Sequence, residues 1–111
     1  MVNELHAVIT ELGGGPVLGR SLRTQADLQT AIREGFPQTV VEEVTHAAGI
    51  TLKELAASLD LSARSLQRRR REGRLAPYES DRLYRFARIV ALAKHYLGNG
   101  DTANRWLKRP N

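Results

Sequence analysis

The chain has 111 residues, of which 41% are hydrophobic and 26% are charged, and its formal net charge at pH 7 is +5. This length and composition fit one globular domain, or one domain with a short extension. The sequence contains no cysteine, which excludes disulfides and thiolate chemistry. It has no apolar run near the ~20 residues that span a bilayer and no signal-peptide pattern at its start, so we expect a cytoplasmic protein without membrane partners.

The first third of the chain predicts two short helices. Residues 4–12 carry apolar side chains at helical spacing, and the glycine-rich run at residues 13–16 breaks this helix. Thr24 can cap a second helix because Asp27 follows it three residues later. Gly35 can end that helix.

A third helix is predicted to begin at Pro37 and to run to about Ala48, since proline suits the first position of a helix. The pair Thr51 and Glu54 then forms a capping-box pattern, with a hydroxyl at the N-cap and a carboxylate three residues later. Apolar residues follow at helical spacing. A further short helix is therefore predicted to begin directly after Thr51.

The next residues predict a turn and then another helix, which would pair with the helix that begins after Thr51. Asp60 lies in the turn, where the backbone must tolerate a left-handed conformation that aspartate adopts less easily than the glycine common at this position. Ser62 can cap the following helix, Leu66 is its main apolar anchor, and Gly73 can end it. Ala56 supplies the small side chain that two crossing helices need. These features predict a helix-turn-helix.

Pro77 predicts the start of a long helix that ends at the glycines of residues 98–100, and a last helix is predicted at residues 102–109. No segment alternates apolar and polar residues with a period of two, so we expect an all-α fold. The apolar side chains expected on the inner face of the long helix are Leu83, Phe86, Val90, Ala93 and Leu97, widened by Ile89, Leu92 and Tyr96.

The positive charge is concentrated in one place. Six arginines lie between Arg64 and Arg74, with only Glu72 opposing them, and the remaining basic and acidic residues balance each other. A clustered basic excess indicates a polyanionic partner, and double-stranded DNA fits a helix-turn-helix whose second helix is basic.

If the second helix enters the major groove, the face opposite Leu66 reads the bases. Arginine binds guanine and glutamine binds adenine through paired hydrogen bonds, so Arg64, Gln67 and Arg68 are the predicted base readers. Arg69 stands where an aliphatic core residue is common, which we interpret as a helix end that points early into solvent or DNA. The predicted phosphate contacts are Lys53, Ser62, Arg69, Arg70, Arg71 and Arg74.

Other chemistry is poorly supported by the sequence. Residues 14–21 resemble a phosphate-binding loop, but Pro16 removes an amide and no parallel sheet is predicted. His6, His46 and His95 are scattered without metal-ligand spacing, and no local pattern suggests a catalytic triad. We therefore expect no catalytic residues, no metal site and no cofactor, and no enzyme activity.

The chain resembles the bacterial Xre-type antitoxins of RES–Xre toxin–antitoxin pairs, also called MbcA/ParS/Xre antitoxins, over residues 17–111. The motifs that carry the resemblance are VLGR at 17–20, IREG at 32–35, SLQRR at 65–69, ESDRLY at 79–84 and RWLKRPN at 105–111.

This resemblance implies two functions. A homodimer would bind the promoter of its own operon through the helix-turn-helix and repress it. The region from about Glu79 onward would bind and neutralise a RES-domain toxin that degrades NAD, with Tyr96, Trp106 and Leu107 as candidate toxin contacts. The implied segments are an N-terminal helical part at 1–36, a DNA-binding domain at 37–76 and the start of a toxin-binding domain at 77–111.

The chain departs from the family at Asn111, where members usually continue with a segment rich in glycine and leucine. We therefore expect a C-terminally shortened form that dimerises and binds DNA but inhibits the toxin poorly. Two alternatives stay open at this point. One is a stand-alone transcriptional repressor without a toxin, and the other is a helical inhibitor of a protein partner that does not bind DNA.

Overall fold

A computed structural model describes residues 4–19 and 22–97. Within these ranges the chain forms seven helices and no strand, which confirms the all-α prediction. The predicted helix at 102–109, with Trp106 and Leu107, lies outside the described residues. The helices are α1 (Glu4–Glu11), α2 (Gly15–Leu18), α3 (Gln25–Glu34), α4 (Thr39–Ala48), α5 (Leu52–Ser58), α6 (Ala63–Glu72) and α7 (Pro77–Leu97).

The beginning of α3 follows from its cap. The Thr24 hydroxyl accepts a hydrogen bond from the Asp27 backbone N–H at 3.1 Å, and the Asp27 carboxylate accepts one from the Thr24 N–H at 3.1 Å. Two of the amides that lack a partner inside the helix are satisfied in this way. Gly35 ends α3, as predicted.

Two details of the N-terminal half differ from the prediction. Residues 15–18 form the short helix α2, where only a break was expected, because Pro16 is compatible with a first helical turn. The prediction that Pro37 starts the third helix was wrong, since α4 begins at Thr39. Pro37 instead pairs with Arg74 in an isolated antiparallel bridge. The residues next to this pair supply a hydrogen bond of the bridge, in which the Leu75 N–H donates to the Phe36 carbonyl at 2.8 Å.

This bridge explains why residue 35 is a glycine. Gly35 has a φ of +87°, and a Cβ built there would lie 2.2 Å from the Leu75 carbonyl oxygen. Any other side chain would therefore both strain the backbone and force the two segments apart. The close approach ties the link between α3 and α4 to the link between α6 and α7.

One hydrophobic cluster joins all seven helices, and α7 packs against α1, α3 and α4. The described parts of the segments 1–36, 37–76 and 77–111 share this core, so their division by function stays a prediction. The large apolar side chains that are completely buried are Leu12, Leu28, Phe36, Leu55 and Leu83.

The inner face of α7 is rotated from the predicted one. Ala87 is fully buried and Ala91 is 7% exposed, so these small residues face the core together with Leu83. Ile89 is 48% exposed and Tyr96 is 79% exposed, and the prediction that they widen the buried stripe was wrong. Because successive helical residues differ by about 100°, turning Ala87 and Ala91 inward moves Ile89 and Tyr96 outward.

Candidate nucleic-acid interface

Helices α5 and α6 form the predicted helix-turn-helix. The capping box at the start of α5 is present, with the Glu54 N–H donating to the Thr51 hydroxyl at 3.1 Å and the Thr51 N–H donating to the Glu54 carboxylate at 2.9 Å. Ala56 is buried, and its carbonyl accepts a hydrogen bond from the Leu61 N–H at 2.9 Å. This bond closes the turn tightly after α5.

The turn has the geometry that its sequence predicted, and α7 supports it from behind. Asp60 adopts a φ of +55°, in the left-handed region that aspartate tolerates better than most side chains. The Arg82 guanidinium donates to the carbonyls of Leu59 at 3.3 Å and of Asp60 at 3.1 Å. The same guanidinium lies 5.5 Å from the ring centroid of Tyr78. The turn is therefore attached to the first part of α7.

The caps of α6 also follow the prediction. The Ser62 hydroxyl accepts a hydrogen bond from the Ser65 N–H at 3.0 Å, and Gly73 ends the helix with a φ of +84°. Leu66 is 3% exposed and anchors the helix to the core. The face opposite Leu66 is exposed and carries Arg64, Arg68 and Arg71, and Gln67 is exposed on the flank of the helix.

The structure brings most of the predicted DNA contacts together along α6. A surface cleft is lined by Ser62, Ser65 and the arginines Arg64, Arg68 and Arg71. Gln67 and Arg70 lie on the side of the helix that faces α4. Lys53 is exposed but lies on α5. The Arg74 side chain donates to the Gly35 carbonyl, so its guanidinium is engaged at the bridge described above.

The arginines of α6 differ in their carboxylate partners. Among the described residues, Arg64 and Arg71 have no ion pair. Arg68 Nε lies 3.7 Å from the Glu72 carboxylate, and Arg70 pairs with Glu42 at 2.9 Å. The side chains of both pairs are exposed, so water competes for the same charged groups and each pair is weak.

Arg69 has a different environment. Its side chain is only 18% exposed, and its guanidinium contacts the Glu79 carboxylate at 2.8 Å and the Glu72 carboxylate at 2.5 Å. Hydrogen bonds to Glu72 and to Glu79 raise the pKa of Arg69 against the effect of its partial burial, so it stays charged. The interpretation that Arg69 points early into solvent or DNA was wrong, because a residue three positions after Leu66 lies only about 60° from it.

Glu79 is the residue of this site that sequence reasoning missed. Its side chain is fully buried in the first turn of α7. Its Oε1 accepts hydrogen bonds from Arg69 Nε at 2.8 Å and from the Ala76 N–H at 2.7 Å. The position of Arg69 near Leu66 on the helical wheel was the sequence signal that this arginine needed an internal acid.

A family model described as an antitoxin Xre-like helix-turn-helix domain matches residues 27–88, which run from α3 through most of α7. This chain belongs to that antitoxin family.

Two curated relatives carry the name Antitoxin Xre. One, from Pseudomonas putida, is 34% identical over 90 residues, which cover 80% of this chain and 55% of the relative. The other, from Yersinia enterocolitica, is 35% identical over 86 residues, which cover 75% of this chain and 57% of the relative. The chain thus spans little more than half the length of these two antitoxins.

A second surface of this antitoxin-family chain is apolar. The last turns of α7 form an open groove lined by Ile89, Leu92, Ala93, Tyr96 and Leu97. Tyr96, a predicted toxin contact, is the most exposed of them and packs edge-on against His95 with ring centroids 5.0 Å apart. Exposed apolar patches of this kind are typical of protein interfaces.

The part of the chain that the structure describes has neither a candidate metal cluster nor a candidate membrane span. No group of three histidine or acidic side chains in residues 4–19 and 22–97 could hold a metal ion. None of the helices in the same ranges is both long enough and apolar enough to cross a membrane.

Proposed function

We propose that this chain binds double-stranded DNA by placing α6 in the major groove. The observation that carries the proposal is the outward face of α6, where Arg64 and Arg71 are exposed and, among the described residues, lack a carboxylate partner. Arg64, Gln67 and Arg68 remain the proposed base readers, because Arg64 and Arg68 project from the face opposite the buried Leu66 and Gln67 is exposed on the flank of the helix that faces α4.

The proposed phosphate contacts surround these readers. Arg71 and Ser62 line the same cleft as Arg64, and Lys53 is exposed on α5. Arg70 reaches phosphate by leaving Glu42, and Arg74 by leaving the Gly35 carbonyl. The guanidinium of Arg69 already contacts two carboxylates, and we assign it a different role below.

We further propose that the DNA is the promoter of the protein's own operon and that the chain represses it as a homodimer. Two-fold operators suit two-fold proteins, which supports the dimer. The family membership supports a role as the antitoxin of a type II toxin–antitoxin pair in the bacterial cytoplasm. Its partner would be a RES-domain toxin that degrades NAD, as the resemblance implies.

The apolar groove at the end of α7 supports a protein partner in addition to DNA. Tyr96 lies in this groove, and the proposed contacts Trp106 and Leu107 follow it in sequence, outside the described residues. This chain spans little more than half of its relatives. Neutralisation of the toxin is therefore proposed for the whole protein.

A mobility-shift assay tests the DNA-binding proposal. The probe is a duplex from upstream of the protein's own reading frame, and the salt concentration is varied with and without random competitor DNA. We expect retention in the presence of competitor and an affinity that falls on a log–log plot with a slope of about −0.9 for each phosphate neutralised. Affinity that is flat with salt would favour the inhibitor module that does not bind DNA.

Copurification separates the antitoxin from a stand-alone repressor. The full-length protein is expressed with the product of the neighbouring reading frame, and the purified fraction is assayed for NAD loss. A complex whose NAD-degrading activity appears only after the antitoxin is removed supports the proposal. A protein that binds its promoter and copurifies with nothing would be a repressor alone.

A further inference from the structure

We infer that Arg69 and Glu79 are positioning residues that fix the orientation of α6 for DNA reading, and this inference rests on the DNA binding proposed above. The geometry that carries it is an ion pair between a DNA-facing helix and the buried start of α7. Arg69 belongs to α6, while Glu79 is the third residue of α7 and is fully buried.

The carboxylate of Glu79 is itself held in place. Its Oε1 accepts the Ala76 backbone N–H at 2.7 Å and Arg69 Nε at 2.8 Å, so one oxygen joins the beginning of α7 to α6. The adjacent Ser80 hydroxyl accepts the Phe36 N–H at 2.8 Å and donates to the Ala76 carbonyl at 3.0 Å. Phe36 is completely buried, which fixes this part of α7 to the core.

A second attachment lies at the other end of α6. Arg82, one turn further along α7, donates to the carbonyls of Leu59 and Asp60 in the turn that precedes α6. Helix α7 therefore contacts α6 at two places. One is Arg69, near the end of α6, and the other is the turn that precedes α6. Two separated attachments fix the tilt of a helix, and base-reading side chains must be placed within about 0.5 Å to form paired hydrogen bonds.

Arg69 is poorly suited to contact phosphate directly. Its Nε and one terminal nitrogen already donate to Glu79 and Glu72. Moving it to DNA would leave Glu79 as a buried charge without its partner, which is strongly unfavourable. Glu79 has no exposed surface, so changing it cannot remove a direct contact with DNA.

The test measures sequence preference in addition to affinity. The probes are a duplex recovered by the wild-type chain from a random pool and a random-sequence duplex, titrated at several salt concentrations. Arg69→Met and Glu79→Gln should each reduce the preference for the recovered duplex about tenfold, near the loss of one paired base contact. Binding to random DNA and the salt slope should stay at the wild-type values.

Two further variants serve as the control for a phosphate contact and as the measure of coupling between Arg69 and Glu79. Arg71→Met, on the exposed face, should reduce the salt slope by about 0.9 and weaken both duplexes alike. Because Arg69 and Glu79 act as a pair, the double variant Arg69→Met with Glu79→Gln should lose no more preference than the more affected single variant.

Several results would overturn the inference. If Arg69→Met lowers the salt slope as Arg71→Met does while Glu79→Gln has no effect, Arg69 is a phosphate contact. If both variants keep the wild-type preference, the pair only stabilises the fold. If circular dichroism shows that either variant is unfolded, Arg69→Lys is the replacement test, because it keeps the charge but loses the planar guanidinium that contacts the two carboxylates through separate nitrogens. Arg69→Lys should lose part of the preference, and full retention would contradict the inference. Wild-type binding with unaffected variants defeats this inference alone, whereas absence of wild-type binding defeats the proposed function as well.

Discussion

Arg69 and Arg71 are two residues apart on the same helix, yet they meet different surroundings. Arg71 is exposed and, within the described residues, has no carboxylate partner, whereas Arg69 is 18% exposed and contacts Glu72 and Glu79. The difference arises from rotation about the helix axis, since two residues are separated by about 200°. Arginines in one run along the sequence therefore differ in exposure and in carboxylate partners, and we propose that the exposed ones contact DNA.

The first prediction compares how much Arg69 and Arg71 each contribute to the free energy of unfolding. Arg69→Met should lower the free energy of unfolding by about 3 kcal/mol, because it leaves the buried Glu79 carboxylate without its charged partner. Urea denaturation followed by circular dichroism measures this loss. Arg71→Met is the matched control and should stay within about 0.5 kcal/mol of wild type. Equal stability of the two variants would show that the Arg69–Glu79 pair does not hold the fold.

The second prediction concerns the outward face. Arg64→Ala should cost about 1–3 kcal/mol of binding to the duplex recovered by the wild-type chain, and should relax the preference at one base pair. Binding to a panel of single-base variants of that duplex measures both effects. Lys53→Ala, on α5, is the control and should weaken every duplex similarly. A uniform loss with Arg64→Ala would make Arg64 a phosphate contact.

The third prediction separates charge from reading on that same face. Arg71→Ala should weaken the recovered and the random duplex by the same factor and reduce the salt slope by about 0.9, because one phosphate contact is lost. Titrations at four or more salt concentrations give the slope. A change in sequence preference without a change in slope would place Arg71 among the base readers instead.

The smallest expected effect is at Arg70, whose partner Glu42 lies on α4. Glu42→Gln removes an exposed ion pair and should change stability by no more than about 0.5 kcal/mol. It should raise DNA affinity about two- to threefold at low salt, since it frees Arg70 and removes a negative charge beside the phosphates. Glu43→Gln changes charge equally, but its side chain lies beside Gly13, and it should have the smaller effect. Equal effects of both variants would indicate long-range charge alone.

Local chemistry made much of the helix-turn-helix predictable. The caps at Thr24, Thr51 and Ser62 need only residues three positions apart, and all three are present. The left-handed turn at Asp60 was likewise predictable, because aspartate is among the few side chains that tolerate that conformation. Each of these features depends on atoms that are neighbours in sequence.

The features that could not be predicted depend on distant residues. Pro37 misled the assignment of α4 because its true partner, Arg74, lies in a segment on the far side of the helix-turn-helix. The inner face of α7 was misplaced because alanines carry little hydrophobic signal, although Ala87 and Ala91 are buried and the larger Ile89 is exposed. The base-reading and phosphate roles stay predictions, since they concern a partner that is not part of the fold.

The single oxygen of Glu79 that serves both Arg69 and the Ala76 N–H also has a consequence for local opening. The last turn of α6 and the first turn of α7 share this acceptor, so unwinding either one disturbs the other. In native-state hydrogen exchange, amides in these two turns should exchange with a common opening free energy, as one cooperative unit. The boundary between the proposed DNA-binding segment, 37–76, and the proposed toxin-binding segment, 77–111, would then lie inside a region that opens only as a whole.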